Sequence, residues 1–211
     1  MASRRRPTIR AQASARCLAT EPRLSQHGHP GRRRSIRLTG YDYRTPGAYF
    51  VTICAYRRES LFTDPAVDAV IRKTWDSLPE HLPNVRLDAF IVMPNHVHGI
   101  IWLQSDPVGA RHASPLRALG GGASTGSLGA VVGSLKSSVT RALRHQGLWD
   151  KNPLWQRNYY ERIIRNEDDL NRIREYIIAN PSMWSRDPEN TARVPEPGYD
   201  EAWTWLELQS P

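Results

Sequence analysis

Cysteine is scarce in this chain. Among 211 residues there are two, Cys17 and Cys54, far apart in sequence. They give neither a disulfide framework nor a cysteine-based metal knuckle, so a reducing, cytoplasmic compartment is the expectation. Long apolar runs are missing too: nothing approaches the roughly 18 residues that a membrane span needs. No apolar core of roughly 7–15 residues follows the N-terminal arginines, so a secretory signal is not expected. Acids are nearly absent from the first 38 positions, where Glu21 stands alone against ten arginines. The whole chain has 29 basic and 21 acidic residues and a net charge of +8. With those 38 positions set aside, 19 basic residues face 20 acidic ones. The positive charge therefore belongs to the arm and says nothing about the rest.

Residues 1–31 read as a disordered basic arm, or as a start codon placed too far upstream. Contact with nucleic-acid phosphates is the functional alternative. The Arg/Ser/Ala-rich, acid-poor composition also suits a mitochondrial transit peptide. His27 and His29 fall in this arm beside Gly28 and Pro30 and are set aside as a coincidence.

From Gly40 onward the composition, 39% hydrophobic and 24% charged over the whole chain, is that of a globular protein. The length suits one domain with tails. Tyr49–Cys54 is β-branched and aromatic and predicts a strand. Asp64 and Pro65 open a helix whose apolar positions are Val67, Val70, Ile71, Trp75 and Leu78. Val85–Met93 predicts a second strand, a turn falls at Met93-Pro94-Asn95, and His96–Leu103 returns as a third. Residues 104–128, with Gly120-Gly121-Gly122, form a long connection. A helix from Leu128 to Gln146 follows, then a fourth strand over 154–164. The final helix, Glu167–Ala179, has Asn166 as its cap and Pro181 as its terminator. Residues 185–211 read as an irregular Pro- and Trp-containing tail on the surface. The order β-α-β-β-α-β-α predicts an α+β, ferredoxin-like (RRM-like) fold: an antiparallel sheet with helices on one face, plus a C-terminal helix.

A fold of this kind does not fix a function, which has to be argued from residues. Strand alternation puts His96 and His98 on one face and Val97 on the other. Two imidazoles on one strand face make a bidentate metal platform, though the pair alone does not select a metal. Tyr176 and Asn180 lie four apart, stacked on the flank of the stripe Leu170, Ile173 and Ile177. A helix docking that stripe would aim both at the sheet's edge, where Asn180 could give an oxygen ligand and Tyr176 a nucleophile. Equally, Tyr176 could be a half-buried aromatic and Asn180 a helix end. Trp155, Gln156, Arg157, Tyr159 and Tyr160 mix aromatics with Arg, as in single-strand base stacking, or simply form strand core. Lys136, Ser137, Ser138, Thr140 and Arg141 on the preceding helix could hold phosphates or face solvent.

These stretches resemble a known family. His96-Val97-His98, within Phe90-Ile91-Val92-Met93-Pro94-Asn95-His96-Val97-His98-Gly99-Ile100, looks like the HUH motif of the REP-associated tyrosine transposases. Four further stretches resemble that family in the same order. They are Arg33–Leu38 leading into Tyr41-Asp42-Tyr43, then Gly47–Ile53, Trp155–Tyr160 and Ile173–Pro181. The resemblance spans about residues 32–184, and five motifs in order are far more specific than one H-x-H.

It implies a metal-dependent DNA transposase of the single-tyrosine type, with Tyr176 as nucleophile and His96, His98 and Asn180 as metal ligands. It further implies Mg²⁺ or Mn²⁺, a 5′-phosphotyrosine intermediate and single-stranded or hairpin DNA as partner. Lys136, Arg141, Trp155, Gln156, Arg157, Tyr159 and Tyr160 become DNA-binding candidates. The expected setting is the bacterial cytoplasm and nucleoid, with no membrane. The protein would be a monomer or homodimer; the short connection Arg165-Asn166 favours a monomer whose tyrosine acts in cis. The alternative is a non-catalytic DNA-hairpin binder. An RRM-like RNA binder would need an RNP-type strand motif, which is missing. A zinc hydrolase would need a third ligand at short spacing from the His pair, which the sequence does not offer.

Overall fold

The alternation of apolar side chains that marks the strands is carried through to a four-stranded antiparallel sheet in the structure, a computed structural model. It describes residues 40–105, 126–151 and 153–193. The readings made on residues 1–39, 106–125 and 194–211 fall outside the described residues.

Strand β1 (Gly47–Cys54) is buried on both faces. Asp64 then caps α1 (Pro65–Asp76), its carboxylate accepting from the Ala66 amide at 2.8 Å, with Pro65 in the first turn where its missing N–H costs nothing. Leu78 belongs not to α1 but to a separate short helix, α2 (Leu78–His81). Strands β2 (Val85–Val92) and β3 (His96–Leu103) pair across the Met93–Asn95 turn. Helix α3 (Leu128–His145) is capped by Ser127 and followed by Gly147 at φ +70°, the left-handed conformation that glycine enters without strain. Strand β4 (Tyr160–Ile164) leads to α4 (Glu167–Ala179), where Asn166 accepts from the Asp169 amide at 2.8 Å. The strand order is β2-β3-β1-β4, so β3 and β1 are central. No helix of the described residues is long and apolar enough to cross a membrane.

A further expectation needs correction. The fourth strand starts at Tyr160, not at 154, and within 154–159 the sheet is met only by a single bridge between Trp155 and Ala55. The cause is a side chain: the Lys136 ammonium takes the carbonyls of Gln156, Arg157 and Asn158 at 2.9, 3.4 and 3.1 Å. Carbonyls gathered on one cation cannot extend a ladder. The final α-helix ends at Ala179, just before Pro181, as expected. Asn180 keeps helical angles, and a 3-10 stretch runs on from Asn180 to Arg186, which Pro tolerates in a first turn.

The two sheet faces are covered differently. Tyr49, Val51, Ile53, Val97, Ile101 and Leu103 pack against α1 and α3. Gly99 belongs to this face because a Cβ there would overlap the Trp75 ring, which stacks on Phe90 at a centroid distance of 4.2 Å. The opposite face presents Ala48, Phe50, Ile100 and Ile164 to the stripe Leu170, Ile173 and Ile177 of α4. Each such apolar side chain contributes about 1.5–3 kcal/mol when fully buried, enough to hold one helix in one register. An ion pair adds direction: Arg174 of α4 makes two hydrogen bonds, 2.9 and 2.7 Å, to the Asp88 carboxylate on β2. That pairing holds Asp88 at a pKa of about 2.

Candidate active site

His96 and His98 open β3 on the α4 face, with Val97 buried on the other. Both imidazoles are buried, and their Nε2 atoms lie 2.9 Å apart. Burial, with Arg58 nearby, pushes His96 down to about 3; burial and then His96 push His98 well below the ordinary histidine value. Both rings are therefore neutral at pH 7, the form that ligates metals.

The two rings are held differently. His96 Nδ1 meets Asn95 Oδ1 at 2.8 Å. The Asn95 amide nitrogen donates to the carbonyls of Arg58 (3.0 Å) and Glu189 (2.7 Å), which fixes which end of the amide is oxygen. An amide oxygen only accepts, so the His96 proton sits on Nδ1 and the Nε2 lone pair faces the site. His98 Nδ1 instead meets the Thr52 hydroxyl at 2.9 Å, a group able to donate or accept.

Tyr176 comes from α4, and its hydroxyl lies 3.1 Å from His98 Nε2. Its ring stands edge-on to Phe50 and His98, at centroid distances of 5.9 and 5.2 Å. The sheet-edge position expected for Tyr176 and Asn180 is thus wrong. The stripe of α4 packs on Phe50 and Ile100 of the central strands, which carries Tyr176 over the middle of the sheet. Burial raises the Tyr176 pKa above the ordinary phenol value, and the Asp187 carboxylate adds to that. Asn180, 1% exposed, lowers the pKa of both Tyr176 and Asp187, yet neither atom of its amide has a well-formed hydrogen bond.

Asp187 is the residue that the sequence reading missed. It follows the 3-10 stretch, is 1% exposed, and places Oδ2 3.7 Å from His96 Nε2. Burial lifts its pKa to about 6. Ligand atoms of His96, His98 and Asp187 all lie within 4.8 Å of one another. The sequence reading names Asn180 as the third ligand and looks for a further His, Cys or Glu only at short spacing from the His pair. The chain delivers Asp187 through tertiary structure instead, and a lone Asp between Arg186 and Pro188 carries no local signal. Two neutral imidazoles, a carboxylate and a buried amide without hydrogen bonds are donors that fit a divalent cation.

The nucleic-acid candidates divide into two kinds. Lys136, Ser137, Thr140, Arg141, Arg144, Trp155, Gln156 and Arg157 line one open groove of about 530 Å³, on the α3 side of the sheet. Within it Lys136 is committed to three backbone carbonyls, and burial lowers its pKa to about 8. Trp155 is buried and donates to the Lys136 carbonyl at 3.2 Å. Arg141 and Arg157 are exposed. Tyr159 packs partly buried against the α1/α3 core and receives the Lys136 ammonium over its ring at 5.7 Å. Tyr160 is on the opposite face, edge-on to Phe50.

No protein-family model matches the chain. It is 38% identical over 167 residues to an uncharacterised protein of Haemophilus influenzae, covering 74% of this chain and 91% of that one. It therefore belongs to one family with that protein. A second H. influenzae protein, which carries the provisional name REP-associated tyrosine transposase, is 22% identical over 148 residues, 66% of this chain and 73% of the relative. Among solved structures, a REP-associated tyrosine transposase bound to a REP hairpin shares the fold. The TM-score is 0.50 and the identity 21%, over 70% of this chain and 77% of that one. The resemblance to the REP-associated tyrosine transposases holds in both sequence and fold.

Proposed function

We propose that the protein is a transposase-like, metal-dependent DNA strand transferase that opens a single strand beside a hairpin through Tyr176. The observation that carries this reading is the convergence on one buried spot of the Tyr176 hydroxyl, both imidazole Nε2 atoms, Asp187 and the Asn180 amide. A His pair alone would also suit a hydrolase. A tyrosine hydroxyl 3.1 Å from one of the imidazoles supports nucleophilic transfer in its place.

His96, His98, Asp187 and Asn180 would hold Mg²⁺ or Mn²⁺, which when bound draws charge from the phosphate ester and orients it for in-line attack. The chain's own part is positional. Helix α4, keyed to Phe50 and Ile100 and clamped by Arg174 on Asp88, fixes the Tyr176 oxygen over β3. Burial keeps that hydroxyl protonated until substrate arrives. In the transfer the Tyr176 oxygen bonds to phosphorus and the bond from phosphorus to the 3′-oxygen breaks. The tyrosine's proton is matched by one on the released 3′-hydroxyl. A 5′-phosphotyrosine keeps the ester energy, so rejoining needs no nucleotide cofactor. Tyr176 reaches His98 of its own chain, which supports action in cis by a monomer. The exposed arginines Arg141 and Arg157 of the α3 groove suit the phosphates of the stem.

The test is incubation of a hairpin with a single-stranded 5′ extension, an unstructured strand and a blunt duplex, each with Mn²⁺ or with EDTA. Metal-dependent nicking of the hairpin substrate alone, leaving a 3′-hydroxyl, is expected. Tight hairpin binding without nicking, in Mn²⁺ as in EDTA, would make the protein a non-catalytic binder instead.

A further inference from the structure

Asn95 precedes the His pair, is 1% exposed, and is the residue through which three parts of the fold meet. Its Oδ1 faces His96 Nδ1 at 2.8 Å. Its Nδ2 donates to the Arg58 carbonyl in the turn after β1 and to the Glu189 carbonyl in the segment that carries Asp187. The same two residues are joined a second time, by the Arg58–Glu189 ion pair at 2.7 Å. Arg57 and Arg58 hold left-handed backbone at φ 55° and 57°, a conformation non-glycine residues keep only when their surroundings enforce it. At Arg58 both attachments hold the residue in place, its carbonyl on Asn95 and its guanidinium on Glu189.

We infer that Asn95 is a positioning residue: it selects the Nδ1-protonated form of His96, so that Nε2 is free to ligate. At the same time it fixes the Asp187 segment in reach of that nitrogen. Metal-bound histidines commonly hand their other N–H to such a partner, and loss of the partner weakens metal binding about 10- to 100-fold. His98 is held differently: its Nδ1 meets the Thr52 hydroxyl, which accepts or donates, and without metal its Nε2 proton faces the His96 Nε2 lone pair at 2.9 Å. The inference rests on the metal-centre reading in its second half only.

Histidine nitrogen shifts of the full-length, metal-free protein read the proton position directly. Wild type is expected to show His96 protonated at Nδ1. In Asn95→Ala that signal should give way to Nε2 protonation or a mixture, and Mn²⁺ affinity by titration calorimetry should fall about 10- to 100-fold. Asn95→Asp keeps the acceptor and removes both donors. It should preserve the Nδ1-protonated form while speeding amide hydrogen exchange at Asp187–Asn190. If Asn95→Ala does not fold, Asn95→Asp decides alone: loss of the Nδ1 proton there overturns the inference. An unchanged His96 form in a folded Asn95→Ala overturns it as well, whatever metal does. Wild type that binds no Mn²⁺ overturns the metal reading and leaves the proton assignment standing.

Discussion

The two faces of the sheet are built from alternate residues of the same strands, yet they solve opposite problems. On the α1/α3 face, Val51, Ile53, Val97 and Ile101 meet Ile71, Trp75 and Leu135 in an apolar layer. On the α4 face, Phe50 and Ile100 give way toward the start of β3 to Thr52, His96 and His98, with Asn180 and Asp187 buried beside them. Two of those buried groups, the Asn180 amide and Asp187 Oδ2, lack hydrogen-bond partners among the described residues. An unsatisfied buried polar group costs about 1–3 kcal/mol. Such a cluster is tolerated where the other face supplies the stability and where a ligand completes the polar one.

The largest expected effect tests that division. Trp75→Ala should lose about 3–5 kcal/mol in denaturant unfolding, because the ring fills the space above Gly99 against Phe90. His98→Ala, on the α4 face of the same strand, should cost no more than about 2 kcal/mol while removing metal-dependent cleavage. Equal destabilisation by the two would break the comparison.

Next comes the α3 groove, where one cation is structural and its neighbours are not. Lys136→Met removes the donor for three carbonyls, of which the Gln156 one is half-buried, and should cost about 1–2 kcal/mol, read as a lowered unfolding midpoint. Arg141→Ala should leave stability within about 0.5 kcal/mol. It should reduce the slope of log DNA affinity against log salt by about 0.9 for one lost phosphate contact on the duplex stem. A stable Lys136→Met with weakened DNA binding would reverse the two roles.

A smaller effect separates helix docking from site chemistry. Asp88 has a folded pKa of about 2, depressed by Arg174, below its unfolded value of about 3.9. A depressed carboxylate stabilises above its unfolded pKa, and that contribution is lost as pH falls through the folded value. Stability should therefore drop between about pH 4 and pH 2, and Asp88→Asn should flatten that limb at a cost of about 1 kcal/mol at pH 7. An unchanged acid limb in the variant would show that the pair does not hold α4 in place.

What the sequence made legible was local. The bounds of β3, the shared face of His96 and His98, and the Asn166 cap of α4 all follow from alternation or from a side chain within three residues. What it hid was set at a distance. Residues 154–159 looked like strand because their side chains suit one; Lys136, about 20 positions earlier, takes the carbonyls a strand would need. Asp187 and Glu189 looked like tail because nothing nearby in sequence refers to β3, although both attach to the His96 end of it. Tyr176 and Asn180 were legible as a pair, but their place over the central strands depended on which residues α4 docks against.

The central claim is that Tyr176 is the nucleophile of a DNA strand transferase. The direct measurement is mass spectrometry of peptides from the protein after reaction with a hairpin oligonucleotide and Mn²⁺. The account predicts a nucleotide remnant on the peptide bearing Tyr176, absent in Tyr176→Phe although that variant still binds the hairpin. A remnant on Tyr159 or Tyr160 that persists in Tyr176→Phe would contradict it.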